Sequence, residues 1–293
     1  QRDWPASLTV VAAYFGDRGA NLTQAFLPNT VAPGAGAPCV DCPSGFTYLT
    51  SGGTSTRHAV QVVLRRRLHA GLSASMTYTI AKAIDNAASL SNTSVAPGSL
   101  SVAQNWLDLE AEGGPPSFDQ RQLVSADVQY TTGVGATGGT LVDGLWGRLY
   151  KDWTVTAQLN TGSGLPQTPL AFVPVPGTGV VGIRPSLTGQ PIGPQAPGSY
   201  ANPAAFVTPA PGLWGDAGRN YIRGPATFSL DISLTRTFRF NSRFNLDWRV
   251  TATNVLNHVT FTTIDRVITS SQFGFPTNAS PMRRIATSFV FRF

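Results

Sequence analysis

Eight stretches of this chain alternate apolar and polar side chains with a period of two. That period belongs to extended strands and not to helices. The first stretch carries Leu8, Val10, Ala12 and Tyr14 on one face, and the second carries Val60, Val62 and Leu64, with Gln61, Arg65 and Arg67 opposite. The third sets Leu72, Ala74, Met76, Tyr78 and Ile80 against Ser73, Ser75, Thr77 and Thr79. The fourth sets Val124, Ala126, Val128 and Tyr130 against Ser125, Asp127 and Gln129. In the fifth, Leu149, Trp153, Val155, Ala157 and Leu159 face away from Asp152, Thr154, Thr156 and Gln158. The sixth opposes Phe228, Leu230, Ile232 and Leu234 to Ser229, Asp231, Ser233 and Thr235. The seventh opposes Phe244, Leu246, Trp248, Val250 and Ala252 to Asn245, Asp247, Arg249, Thr251 and Thr253. The eighth puts Ile285, Thr287, Phe289, Phe291 and Phe293 on one face and Arg284, Ala286, Ser288, Val290 and Arg292 on the other. An all-β chain is the expectation.

Alternation fits a soluble sandwich, whose apolar faces form a core, and also a barrel whose apolar faces meet lipid. Three features favour the barrel. The alternating runs reach roughly 10–13 residues, against a usual strand of about 5–6. Their polar faces are rich in Ser, Thr, Asn, Asp and Arg, as a wet lumen requires. The connections alternate in length, with tight turns at His69-Ala70-Gly71 and Asn241-Ser242-Arg243 and long stretches at 16–56, 85–119, 161–225 and 257–281. The stretch 132–146 fits less well, being long on the predicted short side. The expected fold is therefore about eight antiparallel transmembrane β-barrel strands with long extracellular loops. Odd strands run outward and even strands return, which brings the eighth to its end on the periplasmic side. The longest connection, 161–225, holds many of the prolines and shows no period. A loop of that length is usually functional or mobile.

No run of 18 apolar residues is present, so no transmembrane helix is expected; barrel strands need only about 9–11 residues and escape that test. The chain opens Gln1-Arg2-Asp3-Trp4-Pro5, without the basic start and apolar run of a secretory signal. Processing of the front, or a fragment of a longer protein, is the expectation. The net charge is +6, carried almost entirely by arginines scattered over strands and loops. A nucleic-acid surface would gather them on one element, so no nucleic-acid partner is expected.

The two cysteines stand as Cys39-Val40-Asp41-Cys42. Such a pair can be redox-active, half of a zinc site, or a tight disulfide. No second pair exists, His58, His69 and His258 lie far along the chain, and no βαβ pattern surrounds the pair. A small loop disulfide in an oxidising compartment is favoured.

Gly133-Val134-Gly135-Ala136-Thr137-Gly138 matches a dinucleotide fingerprint in letters, but a strand follows where the helix should be, and it reads as a flexible turn. No Walker loop, H-E-x-x-H or G-x-S-x-G occurs. No catalytic residue, cofactor or metal ligand is assigned, and the chain is not expected to be an enzyme. The polar candidates for the lumen are Asp127, Asp152, Asp231, Asp247 and Arg249. Asp231 and Asp247, with Arg249 and Arg239 near them, serve either a substrate path or plug contact, or a salt-bridged ladder that stiffens the wall; the ladder is favoured. Within Arg65-Arg66-Arg67, Arg66 is expected to snorkel at the periplasmic interface while its neighbours face the lumen. Tyr14, Tyr78, Trp153 and Trp248 are candidates for interfacial aromatic girdles.

Several segments, in order, resemble a known family. They are Ser117-Phe118-Asp119-Gln120-Arg121-Gln122-Leu123-Val124, Lys151-Asp152-Trp153-Thr154-Val155, Ser163-Gly164-Leu165-Pro166 and Tyr200-Ala201-Asn202-Pro203-Ala204-Ala205-Phe206. Gly218-Arg219-Asn220, Arg223-Gly224-Pro225, Asp231-Ile232-Ser233-Leu234 and Thr253-Asn254-Val255-Leu256-Asn257-His258 follow. Together with the terminal Phe293 they resemble the C-terminal barrel of TonB-dependent outer-membrane receptors of the Oar-like type. The resemblance implies a location in the bacterial outer membrane, among its lipids. It implies that Phe289, Phe291 and Phe293 form the signal read by the barrel-assembly machinery. It also implies a barrel of about 22 strands around an N-terminal plug, coupling to TonB through the plug region, and uptake of a bulky nutrient, an unknown extracellular ligand. On this reading residues 1–293 are the C-terminal portion of the barrel, with the plug and N-terminal domains absent. The alternative is a self-contained small outer-membrane barrel with an adhesin or structural role.

Overall fold

The computed structural model describes residues 2–4, 8–36, 39, 41–43, 45–69, 71–86, 102–132, 150, 152–178, 180–240 and 244–293. The glycine-rich segment 133–138, Leu149, Ala70 and the turn 241–243 lie outside the described residues. In chain order the strands are β1 (Arg2–Trp4), β2 (Leu8–Phe26), β3 (Tyr48–His69), β4 (Leu72–Asp85), β5 (Gln122–Thr131) and β6 (Trp153–Gly162). Four short strands follow: β7 (Pro166–Gln167), β8 (Ser186–Leu187), β9 (Phe206–Val207) and β10 (Ile222–Arg223). Then come β11 (Thr227–Arg239), β12 (Asn245–Thr253), β13 (Phe261–Ile264), β14 (Pro276–Ala279) and β15 (Arg284–Arg292).

One antiparallel sheet runs β1-β2-β3-β4-β5-β6-β11-β12-β15. All eight alternating segments are in it, each beside its neighbour in sequence. The register joins their apolar faces into one surface. Tyr14 stands opposite Val60, and Val60 opposite Ile80. Ala74 faces Val128, Val128 faces Ala157, Ala157 faces Ile232 and Ile232 faces Ala252. A one-residue slip within an alternating stretch would turn a strand's whole apolar set to the other side; the β3–β4 pair shifts register only between Arg66 and His69, at its inner end. That surface is uncovered: Tyr14, Val60, Leu64, Met76, Ile80, Val128, Val155, Ile285, Phe289 and Phe291 are all exposed. A continuous apolar face of this size marks a membrane surface or an interface. Among the described residues β15 pairs only with β12, and the sheet does not close on itself.

Two expectations need correction. Residues 16–56 are not one long loop. β2 and β3 pair from Leu8↔Arg66 to Phe26↔Tyr48, with register shifts near Gly19 and Leu22, so the hairpin continues well past a membrane span of about 9–11 residues. The extension lost its alternation because Asp17, Arg18 and Asn21 stand beyond the bilayer, where neither face needs to be apolar. The connection 161–225 is likewise ordered. Its short strands pair as β7–β10 and β8–β9, and Ala171 bridges Ile183. Among the described residues the buried apolar side chains lie mainly in the connections 161–225 and 257–281. One cluster holds Ala201, Ala205, Phe206, Ala217, Ile222, Ile264 and Phe273, and another holds Ala171, Val175 and Ile183. Among the described residues the wall contributes only Ala25, Ala59, Ala81 and Ala83 to the buried apolar set. The outer loops are a packed cap on a wall whose apolar face is left for lipid.

Candidate functional site: the polar wall and its outer cap

On the polar face, Thr9, Arg65, Ser75, Asp127, Gln158 and Asp231 stand opposite one another across successive strands. A groove of about 340 Å³ is lined by Arg65, Ser73, Ser75, Asp127, Gln129 and Gln158. Asp127 accepts a hydrogen bond from the Gln158 side chain at 3.1 Å, and Ser125 donates to Asn160 at 3.0 Å. The register puts Arg66 on the apolar face, opposite Leu8 and Ala74, and Arg65 on the polar one.

The remaining polar candidates are placed differently from expectation. Asp247 accepts from Thr237 at 2.7 Å and pairs with Arg292. Arg249 instead donates to Thr235 at 3.3 Å. Asp247 lies opposite Thr237, six residues along β11 from Asp231, which is about 20 Å. The predicted ladder joining Asp231 and Asp247 therefore does not form, since a shared face does not give a shared depth. The side chain of Arg239 lies outside the described residues. Asp231 instead accepts from the Asn254 amide at 2.8 Å and from Ser229 at 3.2 Å. Asp152 is not on the wall. It occupies a turn before β6 with φ 61°, its amide donating to the Thr132 carbonyl at 3.3 Å. Asp tolerates that left-handed conformation better than most residues.

The motif segments of the sequence meet at the rim, where the wall joins the cap. Asp119, its side chain 1% exposed, accepts from the Ala83 amide at 2.9 Å, from Arg121 at 2.9 Å and from Arg223 at 2.6 Å. Burial pushes the Asp119 carboxyl up. The Arg223 hydrogen bond, the Ala83 amide and the charges of Arg121 and Arg223 outweigh it, and the group sits below its ordinary 3.8. Gln120 donates to the Ser163 carbonyl at 2.9 Å, and Ser163 in turn accepts from the Gln122 amide at 3.1 Å. Gly164 passes so close to Gly224 that a Cβ there would lie 1.8 Å from the Gly224 carbonyl oxygen. The Asn254 side chain holds the His258 amide and carbonyl, both at 2.9 Å.

Sequence reasoning missed the polar knot inside the cap. Glu112 is fully buried and pairs with the equally buried Arg184 at 2.8 Å. It also accepts from the Gln104 amide at 2.9 Å, while the Gln104 side chain accepts from the Arg184 amide at 2.6 Å. Arg219 donates to the carbonyls of Glu112 at 2.8 Å and Gly114 at 3.0 Å, and pairs with Asp85 at the end of β4. These residues come from aperiodic stretches. Of them only Arg219 stands in a sequence motif, Gly218-Arg219-Asn220, which carries resemblance and no period. Both acids of the knot, Glu112 and Asp85, are paired with arginines.

Cys39 and Cys42 are joined in a disulfide, as expected, and Asn29 donates to both of their carbonyls at 3.0 and 3.2 Å. At the inner end of the apolar face, Trp153, Arg236, Trp248 and Phe289 stand in one row. Trp153 and Trp248 meet edge to face at 5.9 Å. The Arg236 guanidinium lies 5.0 Å from the Trp153 ring and 4.7 Å from Phe238. Tyr14 stands at the outer end of the apolar face.

An antiparallel wall with an uncovered apolar face, aromatic residues near both of its ends, a polar face opposite and a packed cap on the long-loop side defines an outer-membrane β-barrel. The family described as outer membrane beta barrel domain matches residues 1–286, and the chain belongs to it. Its place is the bacterial outer membrane. No curated protein matches the chain.

Proposed function

We propose that this chain is barrel wall and outer cap of a TonB-dependent receptor of the Oar-like type, which takes up a bulky nutrient. The observation that carries the reading is the cap. Its connections hold two apolar clusters and a buried ionic knot, and they are pinned to the rim by Asp119, Arg219 and Arg223. A rigid, shaped outer surface is what recognition of an extracellular ligand needs. The unclosed sheet supports further strands completing the wall, and the wet polar face supports a plug filling the lumen. The role is that of a transporter and not of an enzyme.

Two experiments test this. The protein is extracted from its native outer membrane and its intact mass measured; a mass near 31.0 kDa refutes the plugged-receptor reading. A photoreactive residue at Gln158 then probes the lumen. Crosslinks to an N-terminal segment of the same polypeptide support the plug, and crosslinks to lipid refute a lumen-facing Gln158.

A further inference from the structure

The lipid-facing side of the wall carries a basic cleft just outside the aromatic level of Tyr14. On this face His58 stands directly opposite Lys82, one step outward from the Tyr14, Val60 and Ile80 row. Arg18, opposite Thr56, is the next residue outward on the same face of β2. Tyr14 Oη and His58 Nδ1 are 2.6 Å apart and their rings stack, which fixes the imidazole. A cleft of about 370 Å³ is lined by Tyr14, His58, Val60, Ile80, Lys82 and Arg121. Basic residues facing each other across a strand pair lack the opposite charge that usually stabilises such a position.

The acids of the neighbourhood are engaged elsewhere. Asp17 points to the other face and pairs with Arg57 at 3.7 Å. Asp85 is held by Arg219, and Asp119 by Arg121 and Arg223. Among the described residues neither Arg18 nor Lys82 has an ion-pair partner. Immediately inward, Val60 and Ile80 are 47% and 49% exposed, so the cationic group sits at the head of an apolar slot. Ammonium and guanidinium groups are strong phosphate binders, and the slot below takes a hydrocarbon chain.

We propose that this cleft binds the phosphate of an outer-leaflet lipid headgroup. His58 and Lys82 hold the phosphate, Arg18 adds its charge from one row further out on β2, and Val60 and Ile80 lie along an acyl chain. The chemistry excludes a purely soluble anion as the preferred ligand, because half of the cleft is apolar and faces the bilayer.

The test is native mass spectrometry of the full-length protein in detergent, titrated with bisphosphorylated lipid A. The double variant R18Q/K82Q should bind about 30-fold more weakly, from roughly fivefold per basic side chain near an anionic lipid surface. The single variant K82Q should lose about fivefold, which keeps the test open if the double variant fails to fold. Dephosphorylated lipid A should bind the wild type as weakly as the phosphorylated form binds the double variant. R57Q, at the same height on the opposite face, should bind like the wild type. Equal affinity of wild type and K82Q, or an equal loss in R57Q, overturns the proposal. Full displacement of the lipid by millimolar inorganic phosphate would show a free-phosphate site and also overturn it.

Discussion

Replacing Glu112 by Gln removes one charge from the centre of the cap while keeping the shape of the side chain. Glu112 is 0% and Arg184 3% exposed, so the guanidinium left behind has no solvent to turn to. Breaking a buried pair from one side costs about 3–5 kcal/mol, which corresponds to roughly two to three and a half orders of magnitude in a local opening equilibrium. Two amides report it directly. That of Gln104 donates to Glu112, and that of Arg184 to the Gln104 side chain. In E112Q, hydrogen exchange at both should accelerate by that factor, or reach the fully open rate if the cap is less stable than the loss. Exchange in the β4–β5 and β5–β6 pairs should not change, because the wall is held by its own ladder and by lipid. The double variant E112M/R184M should recover most of the protection, since a buried pair replaced by apolar side chains is often neutral. It would also remove the Arg184 Nε, which is buried without a partner among the described residues. Unchanged exchange in E112Q, or a double variant as loose as the single one, would refute the view that the cap is tied by this pair.

Three further outcomes are expected. G164A should fail to seat the 163–166 segment on 224–225, because no rotamer relieves a 1.8 Å backbone approach; rapid proteolysis within 161–225, with the heat-modifiable barrel band retained, is the readout. The Asp119 carboxyl is depressed below 3.8, so the unfolded rim binds the extra proton first as pH falls. Its stabilisation is present above the ordinary value and is lost as pH drops through the depressed one; exchange at the Ala83 amide should show that loss, and D119N should abolish the pH dependence while costing about 1.5–3 kcal/mol. F293A should slow barrel assembly in cells. Phe293 is 93% exposed, so unchanged thermal stability of the assembled protein separates a recognition defect from lost packing.

The wall was legible and the cap was not, for one physical reason. A strand with lipid on one side and water on the other must alternate, and Phe228 to Thr235 or Phe244 to Thr253 could be read as they stand. Once β2 passes Tyr14, neither of its faces meets the hydrocarbon core, and the alternation that reveals a strand disappears although the pairing continues to Phe26. The cap packs Ala201, Ala205, Ala217 and Phe273 against prolines and irregular backbone, which leaves no period. Asp152 was misassigned because alternation counts through a turn that the backbone actually makes there. Asp231 and Asp247 were correctly paired with a face but not with a depth, because depth depends on register between strands.

Depth also explains two arginines on the lipid side. Arg66 lies near the inner end of β3, in the hydrogen-bonded row that reaches Ile232 in β11 through Ala74, Val128 and Ala157. Arg236 lies four residues further along β11. In an upright sheet one of them would sit about 13 Å deeper in the membrane than the other, with nothing to offset that burial. The rows run perpendicular to the strands, and the four strand steps between β3 and β11 span about 19 Å. Tilting the strands by about 35° lifts the row by about 11 Å over that width and shortens the vertical offset of the four residues to the same ~11 Å, inside the range for transmembrane barrels. Both arginines then reach the inner interface, where Arg236 lies against Trp153 and Phe238. At a tilt of about 35° the two arginines at the inner end of the apolar face thus come to one depth.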